Sequence, residues 1–340
     1  MPGIQAKKIL VFRALQLGDL LCAVPAFRAL RSAFPDAEIT LVGLPWAKAF
    51  VERFSRYFDS FLELPGFPGL LERKPLSERI PEFIKLIQAE EYDLALQMHG
   101  CGTITNPLVS LFGAKACAGF FTPGQYCPDP EKFIAYPANE PEVWRHLRLM
   151  QHLGVPLQGE FLEFEVERQD MSRFRAIPGA HALRPGEYVC IHPGARAEWR
   201  RWPPEKFAAV ADELARRGLQ VVITGSAEER KLADQVRASM DWSAHDFTGH
   251  TDLGSLAALL SGARLLICND TGVSHLAAAL RVPSVVVFWT TDLAGWPPLD
   301  RQLHRSVCRI TGVSPDDVLA HAESLMSHWD PELGSADLAA

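Results

Sequence analysis

Twice along the chain, short unbroken apolar runs alternate with stretches whose apolar residues recur at helical spacing. In the first half the runs are KILVF (8–12), EITLVG (38–43), residues 59–64, YDLALQM (92–98) and KACAGF (115–120). Between them, LLCAVPAFRALRSAF sets Leu20, Val24, Phe27, Leu30 and Phe34 on one helical face, with Pro25 expected to interrupt the helix or start its second part. Further helices are expected near 46–57, 76–90, 103–112 and 142–153, and irregular chain at 120–140. The alternation restarts with YVCIHPG (188–194), followed by a helix between Pro203-Pro204 and Gly218. Then come LQVVITG, the helix SAEERKLADQVRAS, the helix LGSLAALLSGA, the strand ARLLICND, the helix TGVSHLAAALR, the strand VPSVVVFW and a last helix near 314–328. Strands that are apolar throughout, rather than at every second residue, are covered on both faces, which predicts parallel sheets in an α/β fold. The expected division is a domain over 1–165, a linker over 166–185, a domain over 186–328 and a tail over 329–340. In such sheets ligands bind outside the carboxyl ends of the strands, so a cleft between two such domains is the expected site.

Composition narrows the function. A chain of 340 residues suits two domains. The net charge is −7, with −4 in residues 1–170 and −3 in 171–340, so neither half has the basic excess of a nucleic-acid binder. A hydrophobic share of 48% with 22% charged residues is that of a globular protein rather than a disordered one. The seven cysteines are odd in number and show no CxxC spacing, and Cys190 and Cys268 lie inside apolar strand runs. This pattern predicts reduced, buried thiols in a cytoplasmic protein. No apolar stretch has the length of a membrane span, and the N-terminal run is broken by Arg13, Gln16 and Asp19, so no signal peptide is expected.

Three segments carry candidate chemistry, each at a strand-to-helix junction. Gly18-Asp19 follows the first strand: the glycine permits a tight turn, and Asp19 reads either as a general base or as a helix-capping carboxylate. A helix start lowers a carboxylate's pKa and weakens it as a base unless burial raises it again. HPGARAEWRRWP (192–203) places Arg196, Arg200 and Arg201 in one loop after Gly194, suited to a phosphate or diphosphate, with a solvated basic loop and a buried Trp202 as the plainer reading. Asn269-Asp270-Thr271-Gly272-Val273-Ser274-His275 ends a buried strand and opens a helix. Thr271 and Gly272 would offer amides to a diphosphate, Asp270 would order the loop or contact a donor sugar, and His275 would donate to a phosphate. Here too a simple capping sequence is the competing reading. The chain has no HExxH, GxxxxGK[ST], GxSxG or DxD, so neither a metal nor another cofactor is expected.

Together these segments resemble glycosyltransferase family 9, the bacterial ADP-heptose:lipopolysaccharide heptosyltransferase family. The resemblance covers about residues 8–300 and rests on ILVFRALQLGDLLCAVPAFRALR, HPGA…RRWPPEKFAAVADEL, VVITGSAEE, FTGHTDLGSLAALLSGA and CNDTGVSHLAAAL, five motifs in order. It implies the GT-B architecture: two Rossmann-like domains with parallel sheets, the N-terminal one binding the acceptor and the C-terminal one the nucleotide-sugar donor. It also implies metal-independent transfer with inversion. By motif, Asp19 resembles the general base and Arg200 stands where the family commonly has a phosphate-binding lysine. Asp270, Thr271, Gly272 and His275 match a DTGxxH donor site, and Glu228 or Glu229 matches an acidic residue facing the donor nucleoside. The chain departs from the family at Phe288-Trp289-Thr290-Thr291-Asp292, where an indole replaces the glycine of a small turn.

The implied partners are a nucleotide sugar, in particular ADP-heptose, and a glycan or glycolipid acceptor such as lipopolysaccharide core, with weak peripheral contact at the cytoplasmic face of the inner membrane. Two further readings are a nucleotide-sugar 2-epimerase of the same architecture and a catalytically silent nucleotide-sugar-binding scaffold.

Overall fold

The central strands of both sheets, Lys8–Phe12 with Leu94–Gln97 and Tyr188–His192 with Leu265–Asn269, are buried throughout except at Lys8, as unbroken apolar runs require. The computed structural model describes residues 6–289, 295–308 and 312–327. The chain divides into two compact units, Met1–Phe161 and Leu162–Ala340.

In the first unit, β1 (Lys8–Phe12), β2 (Glu38–Gly43), β3 (Ser60–Glu63), β4 (Leu94–Gln97), β5 (Ala116–Phe121) and β6 (Phe133–Ala135) form one parallel sheet in the order β3-β2-β1-β4-β5-β6. Its helices are α1 (Leu17–Ala33), α2 (Ala47–Arg53), α3 (Ile80–Ala89), α4 (Thr105–Ser110) and α5 (Glu142–His152). In the second unit, β7 (Tyr188–His192), β8 (Gln220–Ile223), β9 (His245–Asp246), β10 (Leu265–Asn269), β11 (Ser284–Val287) and β12 (His304–Val307) form a parallel sheet in the order β12-β11-β10-β7-β8-β9. Its helices are α6 (Arg168–Arg175), α7 (Pro204–Arg216), α8 (Arg230–Ala238), α9 (Leu253–Ser261), α10 (Gly272–Ala279) and α11 (Pro315–Met326). Each sheet has the same doubly wound order, and the winding reverses between β1 and β4 in one unit and between β7 and β10 in the other. The loops after those four strands therefore flank the two crevices where such sheets bind ligands.

The elements differ from expectation at five places. Pro25 does not break its helix: α1 runs unbroken, with Pro25 buried inside it. Residues 120–140 contribute the edge strand β6, and β9 and β12 add two further edge strands. Residues 166–185 contain α6 and a 3₁₀ turn at Ala180–Ala182 rather than a bare linker. α6 packs on α9, and Arg173 joins Asp170 and Asp252 at 3.0 Å each, so this stretch belongs to the second unit. The tail over 329–340 lies outside the described residues.

Candidate active site

In the first unit, β1 runs into the loop that starts α1. Asp19 is the third residue of α1, and its Oδ2 accepts the Gln16 amide at 3.1 Å in a reciprocal capping box. Asp19 thus caps its helix and, being only partly buried, still reaches solvent. Burial pushes its pKa up, the Arg13 guanidinium pulls it down and Glu142 pushes it up again; the net direction is upward. Burial therefore outweighs the helix start, and the carboxylate is a stronger base than an exposed aspartate.

A buried ionic network lies behind this carboxylate. Arg13 is fully buried and donates through Nε and Nη2 to the Asp19 carbonyl at 3.0 and 2.7 Å, and through Nη1 to the Met98 carbonyl. Its Nη2 also meets Glu142 Oε1 at 2.9 Å. Glu142 Oε2 accepts Arg145 Nη1 at 2.5 Å, and Oε1 accepts His146 Nε2 at 3.2 Å. Arg145 in turn donates to the Tyr136 hydroxyl and the Pro137 and Ala138 carbonyls. Burial alone would raise the Glu142 pKa, but the His146 hydrogen bond and the two guanidiniums hold it well below the usual range. Burial and Arg13 hold His146 down at about 4, so it is neutral at pH 7. Arg13 and Glu142 stand 129 positions apart and meet because α5 packs on α1. Neither was among the sequence candidates; an arginine inside an apolar run was the available signal.

The loop after β4 completes this edge. His99 is buried, stacks on Phe12 at 5.2 Å between ring centroids, and accepts the Ala14 amide on Nδ1 at 3.2 Å. Burial and Arg13 hold its pKa at about 3.

In the second unit, the loops after β7 and β10 are stapled together by Asn269. Its Oδ1 accepts the Trp202 amide at 2.9 Å, and its Nδ2 donates to the Pro193 carbonyl at 2.7 Å. Trp202 is fully buried against Phe207, as its plainer reading expected. Of the three arginines, Arg200 alone reaches the start of α10, with Nη1 3.5 Å from Asp270 Oδ2. Its Nε is buried with no hydrogen-bond partner among the described residues. Arg201 ties back its own loop through Ala195 O at 2.9 Å and Glu198 at 3.6 Å, and Arg196 is exposed. Thr271 is the extended N-cap of α10 and its side chain does not cap, so the first amides of α10 remain without intrahelical partners. His275 is buried in the next turn, its ring 6.3 Å from that of Trp296.

Glu229 lies against the turn after β7. A Cβ on Gly194 would stand 2.0 Å from Glu229 Oε1, so any larger residue there must displace the Glu229 carboxylate, whose Oε2 caps Ser226 N at 2.8 Å. Glu228 is exposed. In the divergent segment, Phe288 is buried and Trp289 lies beneath Lys206, whose Nζ is 4.7 Å from the indole centroid. Thr290, Thr291 and Asp292 lie outside the described residues. No described helix is long and apolar enough to cross a membrane.

The model of glycosyltransferase family 9 (heptosyltransferase) matches residues 80–323. Lipopolysaccharide heptosyltransferase 2 of Escherichia coli is 24% identical over 90% of this chain and 89% of its own length. A family 9 glycosyltransferase structure from Veillonella parvula superposes with a TM-score of 0.79 at 22% identity, covering 95% of this chain and 98% of that one. The structure of the E. coli ADP-heptose lps heptosyltransferase II superposes with a TM-score of 0.75 at 22% identity, covering 94% and 98%.

Proposed function

The chain belongs to glycosyltransferase family 9, and we propose that it transfers heptose from a nucleotide-linked donor, ADP-heptose, to a lipopolysaccharide core acceptor. The name and length coverage of the E. coli relative support the choice of sugar and acceptor. The observations that carry the chemistry are two features, each at the switch point of its own sheet. One is a carboxylate with a raised pKa after β1, and the other is a cationic, amide-lined turn between β7 and β10.

In this reading Asp19 takes the proton of the acceptor hydroxyl while that oxygen attacks the anomeric carbon. The bond from that carbon to the diphosphate breaks on the opposite face, so the product is inverted. The departing diphosphate gains negative charge. Arg200, the first amides of α10 and His275 stabilise it, with no metal required. Asp270 orients Arg200, and Glu229 faces the donor nucleoside from the β8 edge. This reading gives no role at the diphosphate to Arg196, which is exposed, or to Arg201, which ties back its own loop.

The test is a transfer assay with ADP-heptose and deacylated lipopolysaccharide core oligosaccharides truncated before each heptose, with and without a chelator. Melting curves with ADP, UDP, GDP and dTDP run in parallel. The proposal expects stabilisation by ADP and chelator-resistant transfer to one oligosaccharide. Stabilisation by another nucleotide alone would replace the donor. Donor turnover without acceptor would turn the reading toward an epimerase.

A further inference from the structure

The loop Pro65–Leu76 brings Glu72 to His99 in an arrangement that leaves a buried Glu72 oxygen unsatisfied. The loop is closed at its base by Leu76 N to Pro65 O at 2.9 Å, and Arg73 ties it to the Leu64 carbonyl at 2.6 Å and to Glu63 at 2.7 Å. Gly69, at φ +89°, packs on Ile104 so closely that a Cβ would stand 2.8 Å from its Cδ1. Glu72 is therefore held in place rather than free at a loop tip. Its Oε2 is buried and has no hydrogen-bond partner among the described residues.

Facing it at 3.7 Å is His99 Nε2. That nitrogen carries the ring proton, because Nδ1 accepts the Ala14 amide and the ring is neutral at pH 7. The separation is too long for a hydrogen bond, and a neutral imidazole makes no ion pair. A buried carboxylate oxygen without a partner, facing an N–H donor just beyond hydrogen-bond reach, is an expensive arrangement in a native interior. A hydroxyl satisfies both at once, accepting from Nε2–H and donating to Oε2.

The pair is also tied to the reacting carboxylate. The Arg13 guanidinium holds the carbonyl of Met98, the residue before His99, and the carbonyl of Asp19. His99 itself holds the amide of Ala14, in the loop that leads to Asp19. We propose that Glu72 and His99 form a subsite that reads one hydroxyl of the sugar acceptor. This inference rests on the reading that the first unit binds a glycan acceptor.

The experiment compares wild type, Glu72→Met and Glu72→Gln in the same transfer assay, with donor dissociation constants and melting temperatures measured alongside. Methionine fills the space without a strong acceptor, whereas glutamine keeps a carbonyl oxygen. The expected result for E72M is an acceptor KM raised about ten- to a hundredfold, as for loss of a buried hydrogen bond to a charged group. Its donor affinity stays unchanged and its Tm is equal to or above wild type, because the deleted oxygen had no partner. E72Q recovers most of the acceptor affinity. A wild-type acceptor KM in E72M, or a raised KM that comes with a lower Tm and is not rescued by E72Q, overturns the inference. A wild-type protein that neither binds nor uses any of the oligosaccharides overturns the functional reading and this subsite with it. The two failures are distinct, since only the second is visible without a variant.

Discussion

Replacing Glu142 with Gln tests whether the ionic network behind Asp19 is an integral part of the first unit. In the native protein one Glu142 oxygen accepts from Arg13 and His146 and the other from Arg145. A carboxamide has one oxygen and one NH₂ group, so it must turn a donor toward one guanidinium. Arg13 is fully buried and Arg145 nearly so, and the charge that neutralised them is gone. Removing one partner of a buried ion pair costs about 3–5 kcal/mol. At about 2–4 °C per kcal/mol for a unit of this size, the first unit's Tm falls by about 6–20 °C. Calorimetry at pH 7 reads this directly. The pH dependence supplies a second check. Because the Glu142 pKa is depressed in the folded state, its contribution is present above the ordinary glutamate value of about 4.3 and is lost as pH falls below it. The gap between wild type and Glu142→Gln therefore narrows under acid. Release of Arg13 also loosens its two bonds to the Asp19 carbonyl, and kcat falls by about tenfold or more, since small displacements of a reacting group are costly. A Tm within about 2 °C of wild type, with an unchanged acid limb, would refute the reasoning.

Four further outcomes follow from the same geometry. Asp19→Asn raises the Tm at neutral pH while abolishing transfer, because a carboxylate with a raised folded pKa is least favourable in its ionised form; a lower Tm in thermal melts would count against the upward shift. Arg200→Ala weakens donor binding about tenfold or more in calorimetric titration and leaves acceptor KM alone, whereas an unchanged donor Kd would remove Arg200 from the cradle. Gly194→Ala displaces the Glu229 carboxylate from the β7 turn and weakens nucleotide binding more than Glu228→Ala does; the reverse order would reassign the acidic residue. Stability falls as pH drops from about 6.5 toward 4, because the unfolded chain protonates His99, His146 and His304 while the folded protein holds them at about 3, 4 and 4. Melting temperatures that stay flat from pH 6.5 to 4.5 would contradict those three assignments.

What could be read from the sequence was what is local in it. β1 and β2 have the bounds that their apolar runs predict, and the RRWP turn and the NDTGVSH turn each sit in one contiguous segment at a strand end, whereas Gly18, expected in a tight turn, is the buried second residue of α1. Two of the three strands that escaped notice lack an apolar run, β9 being His245-Asp246 and β12 beginning with His304 and Arg305, while the third, β6, is an apolar run of only three residues. β9 and β12 are edge strands, fixed by pairing with β8 and β11 rather than by their own pattern. α6, RQDMSRFR, buries only Asp170 and Phe174, too little for periodicity to reveal. The network around Glu142 and the pair Glu72–His99 were not legible at all. Each joins residues brought together by packing of distant elements, and a charged residue in a sequence does not announce whether it will be buried. Of the three arginines in the β7 loop, composition could not tell which would turn toward Asp270 at the start of α10.

The most direct test of the central claim measures donor binding and sugar transfer side by side in wild type and Asp19→Ala. The account predicts that the variant binds ADP-heptose with wild-type affinity, since the proposed donor cradle lies in the second unit, and forms no measurable glycan product. Transfer at the wild-type rate by Asp19→Ala would contradict it.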